Sequence, residues 1–482
     1  MKGTASVIEW DDDTFERILE RLATSGTIDA RRVLISTERL ERILDAAKGA
    51  DHSSSRFIDA NFAGAIFEGT AHFDKAIFEG TAHFDKTTFE GTARFDDATF
   101  ERTAHLGPLR ATELSLDRAV FRVHVTVELR AERLCAVGTQ FQSGVDIRAV
   151  GTLVRPVTGV PAGSAKLTFE RATFGDMSTV STARRDTASK WLLIAAWGEP
   201  TIASVISLRW ARIEDLALSM VDLRECHFRD AQGLEGLRLE QVIFDDVKGC
   251  GWHKKWFPFR YSHRVAIAEE HRWREQHQGP PPWLARERQG AADTARSDRP
   301  TPHQIVAVYR GLRKGVEDRK NEPGAGEWYY GEMEMRRHAR YTGPGATGRA
   351  RLKRKRSPRG TVTLVEAEGF DSTRRTPRGE KIVLFLYWLI AGYGLRASRA
   401  ILALAITIAL GAVLLDGFGV DANKDLDDGT LLFAAESSIS LLRQPDTKKL
   451  TVEGHVIQIV LRLAGPLFFG LALLSLRGRV KR

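Results

Sequence analysis

Residues 65–100 read AIFEGTAHFDKAIFEGTAHFDKTTFEGTARFDDATF, in which one eleven-residue phrase occurs twice almost unchanged and twice more in a looser form. Its phenylalanines follow one another at alternating steps of six and five residues, at Phe67, Phe73, Phe78, Phe84, Phe89, Phe95 and Phe100. A helix does not fit, because six residues turn an α-helix by roughly 600° and put successive rings on opposite sides. A flat strand does not fit either, because its side chains alternate with a period of two.

The residues two positions before these phenylalanines indicate how the chain can direct all of the rings to one interior. They are alanine at 65, 71, 76, 82, 93 and 98 and threonine at 87, so the unit is Ala-x-Phe-x-x with one extra residue in alternate units. If the chain turns a corner about every five residues, the small and the large side chain of each unit both point inward. Stacked coils of this kind also pair each backbone group with the neighbouring coils, about 4.8 Å away.

The unit resembles that of the pentapeptide-repeat family, whose repeats read roughly Ala-(Asp/Asn)-(Leu/Phe)-x-x. The resemblance runs from Ala60-Asn61-Phe62 to Phe100 and returns in a second tract, where Val221-Asp222-Leu223 is close to the family unit. It implies a right-handed, four-sided β-helix with about four units per coil. We therefore expect one β-solenoid over residues 51–250, interrupted by an insertion near 178–200. The predicted inward side chains are Phe62, Phe67, Phe73, Phe78, Phe84, Phe89, Phe95, Phe100, Leu208, Ile213, Leu218, Leu223 and Phe228.

The composition of the chain limits its class. A length of 482 residues is too great for one hydrophobic core and predicts two or more domains. Three cysteines without CxxC spacing argue against a disulfide scaffold or a zinc ribbon and suit a reducing compartment. The first residues lack an apolar signal core, so no cleaved secretion signal is expected. Residues 57–107 carry nine Asp or Glu against four Lys or Arg. Some pentapeptide-repeat proteins mimic DNA with an acidic surface, but we interpret this face as solvated.

The flanks of the solenoid are predicted to be helical. Residues 1–50 form an N-terminal helical segment, and residues 251–345 form a helical region. Within the latter, 303–341 resembles a single helical hairpin of the tetratricopeptide type. The aromatic and basic stretch 252–260 (WHKKWFPFR) is interpreted as a cap on the open end of the coil, with contact to lipid headgroups as the alternative.

Two groups of acidic residues and histidines in this helical region could suggest a metal site or an acid/base pair. They are Glu332, Glu334 and His338, and the run Glu269-Glu270-His271. Because arginines surround the first group, we interpret both as surface salt-bridge faces. The sequence shows no nucleophile–base arrangement, no phosphate-binding glycine loop and no metal-ligand spacing. It predicts a protein that is not an enzyme and uses no cofactor or metal.

A basic linker is predicted over residues 346–381, just before an apolar region. It contains the run RARLKRKRSPR at 349–359. A polybasic segment beside a membrane span favours anionic lipids of the inner leaflet, and nucleic acid is the less favoured partner. The residues expected to contact lipid are Arg351, Lys353, Arg354, Lys355 and Arg356.

The remaining residues, 382–482, predict a membrane domain with two spans, at about 400–420 and 456–476. The apolar run 382–395 is shorter and is interpreted as an interfacial helix. Cationic residues before the first span and after the second place both termini in the cytoplasm of a multi-pass cell-membrane protein. Arg462 lies inside the second span and is expected to face protein or water, with Glu436 as its partner if segment 430–442 enters the membrane.

The order of an interfacial helix, a span, a short apolar segment and a second span resembles the pore module of potassium channels. The resemblance is one of topology, because the position of the ion filter reads Arg443-Gln-Pro-Asp-Thr. Gly392-Tyr393-Gly394 precedes the first span, where no filter could form. The sequence therefore favours a degenerate, channel-like module, with 430–442 as the segment that resembles a pore helix.

The complete order resembles that of pentapeptide-repeat membrane proteins of actinobacteria, for which the resemblance implies no established activity. We expect a non-enzymatic, membrane-anchored protein whose cytoplasmic solenoid binds a protein partner or acts as a sensor. The alternative is an ion channel or ion-permeable oligomer regulated by the solenoid. The expected partners are membrane lipids, a protein that the sequence cannot name and a second copy of the chain.

Overall fold

A computed structural model gives the fold and describes residues 8–48, 54–153, 164–183, 199–246, 264–278, 300–338, 353–356, 362–365, 378–395, 397–419, 429–439 and 450–480. The chain divides into two compact units, Met1–Gly315 and Val316–Arg482. The first unit contains the stacked strands, and the second contains the long apolar helices.

The described helices are α1 to α9 in chain order, and α7 continues into the π-helical turn Leu415–Gly419. Their bounds are α1 Asp12–Ser25, α2 Thr37–Ala46, α3 Ala268–Gln278, α4 Pro302–Asp318, α5 Glu322–His338, α6 Arg378–Ala391, α7 Ala397–Leu414, α8 Gly429–Ile439 and α9 Val452–Val480.

The strands of the first unit are short and stack in parallel, each pairing with strands about one coil before and after it. One six-stranded sheet contains Arg56–Phe57, Ile77–Phe78, Thr99–Phe100, Val120–Phe121, Gln140–Phe141 and Thr173–Phe174. A second contains Ala71–His72, Thr92–Arg94, Glu113–Ser115, Arg133–Cys135, Lys166–Thr168 and Ser204–Ser207. The largest, with 13 strands among the described residues, contains Thr27–Asp29, Leu34–Ile35, Asp59–Asn61, Ile66–Phe67, Ala82–His83, Thr88–Phe89, Ala104–Arg110, Val125–Arg130, Val145–Leu153, Ser178–Thr182, Glu199–Thr201, Leu216–Ser219 and Arg238–Glu240.

The register of these strands explains the phase of the sequence repeat. Ala60 pairs with Ala82 and Phe67 pairs with Phe89, which is two eleven-residue units further along the chain. Equivalent side chains therefore lie directly above one another, with alanines stacked on alanines and rings on rings. Parallel stacking of this kind is the arrangement of strands in a β-solenoid.

The interior of the stack is filled by aromatic rings. Phe78 lies between Phe57 and Phe100, with ring centroids 5.3 Å and 4.7 Å away and nearly parallel planes. The column continues through Phe121 at 4.6 Å from Phe100. Offset stacked rings at such separations add to the stabilisation that burial alone provides. The alanines two residues before each ring also point inward, and their small side chains leave room for the rings.

The N-terminal segment contains strands as well as helices. Thr27–Asp29 pairs with Asp59–Asn61, and Leu34–Ile35 pairs with Ile66–Phe67. The stack therefore starts within residues 1–50, and α1 and α2 close its N-terminal end with buried side chains such as Phe15 and Leu40. A closed end covers backbone groups that would otherwise offer an exposed edge.

The interruption expected near 178–200 begins later in the structure. Ser178–Thr182 is a regular strand that pairs with Val145–Leu153 and Leu216–Ser219. Residues 184–198 lie outside the described residues. Glu199–Thr201 then pairs antiparallel with Val145–Leu153, away from the parallel order of the stack.

The C-terminal end of the stack is covered by α3 and α4. A Cβ atom at Gly311 would come within 2.7 Å of Leu234, and one at Gly315 within 2.6 Å of the carbonyl oxygen of Glu235. The two glycines lie one helical turn apart on α4, so their shared face approaches the last coil closely. The aromatic stretch 252–260, for which a capping role was predicted, lies outside the described residues.

The described residues of the second unit are mainly helical and include one short antiparallel pair, Lys353–Arg356 with Val362–Val365. Helices α7, α8 and α9 pack around a core of Ala412, Leu415, Phe433, Ala434 and Leu461. Two segments are long and apolar enough to cross a membrane, Ala397–Gly419 and Val452–Ser475. Each segment contains all but the last residue of the corresponding predicted span, 400–420 or 456–476.

Candidate functional site

One column of corner residues runs along the surface of the solenoid. Each member lies two residues after an inward side chain and has a positive φ. The members that are not glycine are Lys75, Asp97, Arg118, Arg171, Trp210 and Asp230. Polar residues are ordinary at such solvent-facing corners, whereas a bulky residue in the left-handed region is an outlier. Trp210, with φ 55° and 37% exposure, is therefore the exceptional member of the column.

Three arginines surround the indole of Trp210. The guanidinium carbon of Arg209 lies 4.4 Å from the ring centroid, that of Arg171 5.2 Å and that of Arg229 5.6 Å. Cations over an aromatic face are attracted by its quadrupole, which holds the side chains in place. The side chains of Arg209 and Arg229 are also mostly buried, with 16% and 11% exposure.

A small pocket that opens to solvent and has room for about one water molecule lies beside this tryptophan. The pocket shares Arg209 and Arg229 with the tryptophan cluster. Its full lining is Arg209, His227, Arg229, Glu269, Arg272 and Pro300. We call the pocket and Trp210 together the arginine–tryptophan surface. The pocket therefore brings three guanidinium groups and one carboxyl group together.

Glu269 closes one side of the pocket. Its Oε1 accepts hydrogen bonds from the backbone N–H groups of Phe228, at 2.5 Å, and Arg229, at 2.9 Å. Burial raises the pKa of this carboxyl to about 7. Around it lie the cationic Arg272 and Arg229, the ring of His227 at 4.0 Å and the buried thiol of Cys226. The other carboxyl oxygen, Oε2, is buried without a hydrogen-bond partner among the described residues.

A second carboxylate fixes the helix that carries Glu269. Glu270 is fully buried, accepts a hydrogen bond from Tyr309 Oη at 2.5 Å and from Arg274 Nε at 2.7 Å, and pairs with Arg264. Although burial acts in the opposite direction, the attraction of Arg264 and Arg274 lowers the pKa of Glu270. The network connects α3 to α4 and so sets the position of Glu269. The prediction that Glu269 and Glu270 form a surface salt-bridge face is wrong, because both are buried against other elements.

The same correction applies to Glu332 and Glu334 in the second unit. Both are buried, at 4% and 7% exposure. Glu334 accepts hydrogen bonds from Tyr393 Oη at 3.2 Å and from Arg337 at 2.7 Å. Gly392-Tyr393-Gly394 is the turn between α6 and α7, and its tyrosine packs on α5 through Tyr330 as well. This position agrees with the interpretation that the tripeptide is no ion filter.

The other predicted site residues fall into three groups. The predicted inward side chains of the solenoid are all exposed by 2% or less. Of the predicted lipid-contacting residues, Arg351 lies outside the described residues and Lys353–Arg356 forms a strand. Glu436 lies on the exposed face of α8 and Arg462 is partly buried on α9.

The structure shows no ion pair between Glu436 and Arg462, although both belong to described helices. The pairing was predicted for the case in which segment 430–442 enters the membrane, and for that case it stays a prediction. In the structure, α8 turns Ser437 and Ser438 toward its neighbours, and a Cβ at Gly465 of α9 would meet the backbone of Ser438. Arg443, at the predicted filter position, lies outside the described residues.

Comparison with known proteins supports the repeat. A family model described as pentapeptide repeats (9 copies) matches residues 73–120, within the stacked strands. No curated protein and no solved structure matches the chain. The similarity covers only coils that precede the arginine–tryptophan surface, so it gives this surface no role.

Proposed function

We propose that this protein is a non-enzymatic, membrane-anchored scaffold whose right-handed, four-sided solenoid binds a protein partner. The single observation that carries the proposal is the combination of a closed β-stack with two helices long and apolar enough to span a bilayer. In the proposal the spans fix the protein in the cell membrane, both termini are cytoplasmic, and the basic linker 346–381 contacts anionic lipid.

The interior of the stack supports a binding role rather than a catalytic one. Its inward positions hold phenylalanine, leucine, isoleucine and alanine, which supply packing and no acid–base or nucleophilic chemistry. Among the described residues, no group of three or more His, Cys, Asp or Glu could hold a metal ion. A repeat of this kind offers a long, regular surface, on which function depends on the residues at exposed corners.

The exposure of the apolar helices supports the anchor. Ile401, Ile406 and Leu410 of α7 are more than half exposed, as are Leu463 and Leu467 of α9. Side chains of this kind are expensive to expose to water and suit contact with lipid. They lie on helices whose small residues pack closely, because a Cβ at Gly411 would come within 2.7 Å of Leu461.

Helix α5 is attached to the membrane helices by polar and aromatic contacts. Trp388 Nε1 donates to Tyr330 Oη at 3.2 Å, and the guanidinium of Arg337 lies 4.6 Å from the Trp388 ring centroid. Arg399 donates to the carbonyl oxygen of Trp388 at 3.1 Å. Tryptophan with arginine is typical of a membrane interface, where the ring contacts lipid and the cation contacts headgroups. In the proposal this contact positions the chain that precedes the spans.

Cysteine labelling in intact cells tests the anchor and its orientation. Cys135, Cys226 and Cys250 are first replaced by alanine, and single cysteines are then introduced by Asp427→Cys or Ser357→Cys. We expect an impermeant thiol reagent to label the Asp427→Cys protein from outside and the Ser357→Cys protein only after permeabilisation. Labelling of Ser357→Cys alone would reverse the orientation, and labelling of neither before permeabilisation, with recovery in the soluble fraction, would refute the anchor.

The ion-channel alternative rests on a specific observation, the short helix α8 between the two candidate spans. It packs on both α7 and α9 through Phe433 and Ala434. A short helix in this place is where a pore helix would lie. The two functions differ in whether the protein conducts ions. Measurement of ionic currents through the purified protein in planar bilayers distinguishes them.

A further inference from the structure

We propose that this protein assembles with further copies of itself in the membrane, and that Glu436 on α8 of one copy pairs with Arg462 on α9 of another. The inference deepens the proposed function and rests on its membrane anchor, because both charges require a partner only where these helices lie in lipid. It names a second copy of the chain as the partner of the exposed faces of α8 and α9.

Arg462 lies near the middle of a segment that is long enough to cross a bilayer. It is the eleventh of the 24 residues of Val452–Ser475, and its side chain is partly exposed. A charged side chain at this depth is expensive in hydrocarbon and normally faces protein or a water-filled cavity, where it is paired. Among the described residues, none forms a hydrogen bond or an ion pair with Arg462.

Glu436 lies at the same level of the packed helices. Ala434 of α8 shares a core with Leu461 of α9. One turn later in both helices, a Cβ at Gly465 would meet the backbone of Ser438. Glu436 lies between these two contacts along α8, as the arginine does along α9, so the two charges have a similar depth. The glutamate is exposed, and no described residue forms a hydrogen bond or an ion pair with it.

The packing of α8 directs Glu436 away from Arg462 of its own chain. Successive residues of an α-helix are about 100° apart, so Glu436 lies about 160° around the helix axis from Ser438. Because Ser438 meets α9, Glu436 points away from α9, on the face that also holds Leu432 and Ile439. Pairing within one chain would require α8 to turn about its axis and to lose the close contact at Ser438.

Each of the two charges is flanked by exposed apolar side chains on its own helix. On α8, Leu432 and Ile439 lie four residues before and three after the glutamate and are 50% and 70% exposed. On α9, Ile459 and Phe469 lie three residues before and seven after the arginine and are 56% and 57% exposed. These spacings place each set on one side of its helix. The two apolar faces, each with one charge of opposite sign, are therefore complementary.

A second copy of the chain satisfies both charges at once. It carries the face of α8 and the face of α9 together, so a symmetric assembly repeats the same contact at every copy. Lipid alone does not do this, because anionic headgroups attract an arginine and repel a carboxylate. The contact also covers apolar side chains that one copy leaves exposed on both helices.

Two charge-reversed variants test the proposal by complementation. Glu436→Arg leaves a chain with arginine at both positions of the contact, and Arg462→Glu leaves a chain with glutamate at both. Each variant alone presents like charges to its own copies, whereas a mixture of the two presents opposite charges in both directions. The full-length protein is produced with two different affinity tags and extracted from membranes in mild detergent. Association is measured as the amount of one tagged copy that co-purifies with the other.

We expect wild-type copies to co-purify, each variant to co-purify with itself at least about tenfold less, and the mixed variants to return to the wild-type level. The matched control is Glu453→Arg, which reverses an exposed charge in the first turn of α9 and should leave co-purification unchanged. Cells that produce the two tags separately are combined before extraction, which shows whether copies associate only in detergent.

Three results would overturn the proposal. They are a lack of co-purification of wild-type copies, undiminished co-purification of each variant with itself, and a lack of recovery in the mixture. The last result is the one expected from pairing within a single chain, because each variant chain contains two like charges. Cysteine labelling tests the anchor separately, so a protein that passes the labelling test and does not co-purify refutes the contact alone.

Discussion

Replacement of Phe78 by alanine tests the register of the solenoid most directly. The ring is 1% exposed and lies between Phe57 and Phe100, with a further edge contact to Phe84 at 6.0 Å. Removing a buried phenylalanine ring costs about 3–5 kcal/mol, which includes the cavity that remains. The cavity cannot close by movement of the strands alone, because Ile77 and Glu79 donate backbone hydrogen bonds to the preceding coil at 2.8 Å.

We therefore expect Phe78→Ala to lower the free energy of local opening by about 4 kcal/mol, near the middle of that range. Hydrogen exchange of peptides that cover residues 76–100, measured by mass spectrometry on the full-length protein, reports this quantity. Each 1.4 kcal/mol corresponds to about a tenfold change in rate, so exchange should accelerate by roughly a thousandfold. Because each coil contacts only its neighbours, peptides over 204–219 should change much less.

The matched control is Glu79→Ala, at the residue that directly follows the strand Ile77–Phe78. Glu79 pairs with Arg56 at 3.1 Å, but its side chain is 42% exposed. An exposed ion pair contributes about 0–1 kcal/mol, so the control should accelerate exchange by less than about tenfold. Similar acceleration in both variants would refute the inward assignment of Phe78, as would an effect of Phe78→Ala that is equally large throughout the solenoid.

Two further predictions concern the buried acid and the membrane domain. Because the pKa of Glu269 is raised by burial to about 7, its contribution to stability is fully present below its unfolded pKa near 4.5 and is lost as the pH rises through 7. The free energy of local opening of α3, measured by hydrogen exchange, should therefore be compared between the wild-type protein and Glu269→Gln. The difference between the two should decrease by at most about 3 kcal/mol from pH 5 to pH 8. A constant difference would contradict the raised pKa of Glu269. In planar bilayers, the purified protein is expected to show no potassium-selective current, because Arg462 lies in α9 where it would repel cations. Reproducible potassium-selective events that are lost on mutation in 430–446 would instead establish the channel alternative.

The interior of the solenoid was predictable because its constraint is local. Every coil must bring one large and one small side chain inward from each unit, and the spacing of Phe67, Phe73 and Phe78 states this directly in the sequence. The two apolar helices were predictable for a similar reason, since length and lack of charge suffice to recognise them. In both cases one short window contains all the information that determines the structure.

The roles of Glu269, Glu270 and Glu334 depend on distant residues. An acidic residue beside arginines on a helix has the same local pattern whether it faces water or another element. Glu270 is buried because Tyr309, 39 positions further along the chain, covers it, and Glu334 because Tyr393 does so 59 positions away. Sequence patterns within one helix contain no information on such contacts, and the more frequent solvated arrangement was therefore predicted.

Trp210 differs from these, because the sequence did contain a signal for it. Once the inward phase is set by Leu208, position 210 is a solvent-facing corner, equivalent to Lys75 and Asp97 in earlier coils. A large aromatic residue there gains little from burial and adopts a backbone conformation that is strained for its size. The solenoid does not require it, since polar residues occupy the equivalent corners. A residue that costs stability without serving the fold is best explained by contact with another molecule.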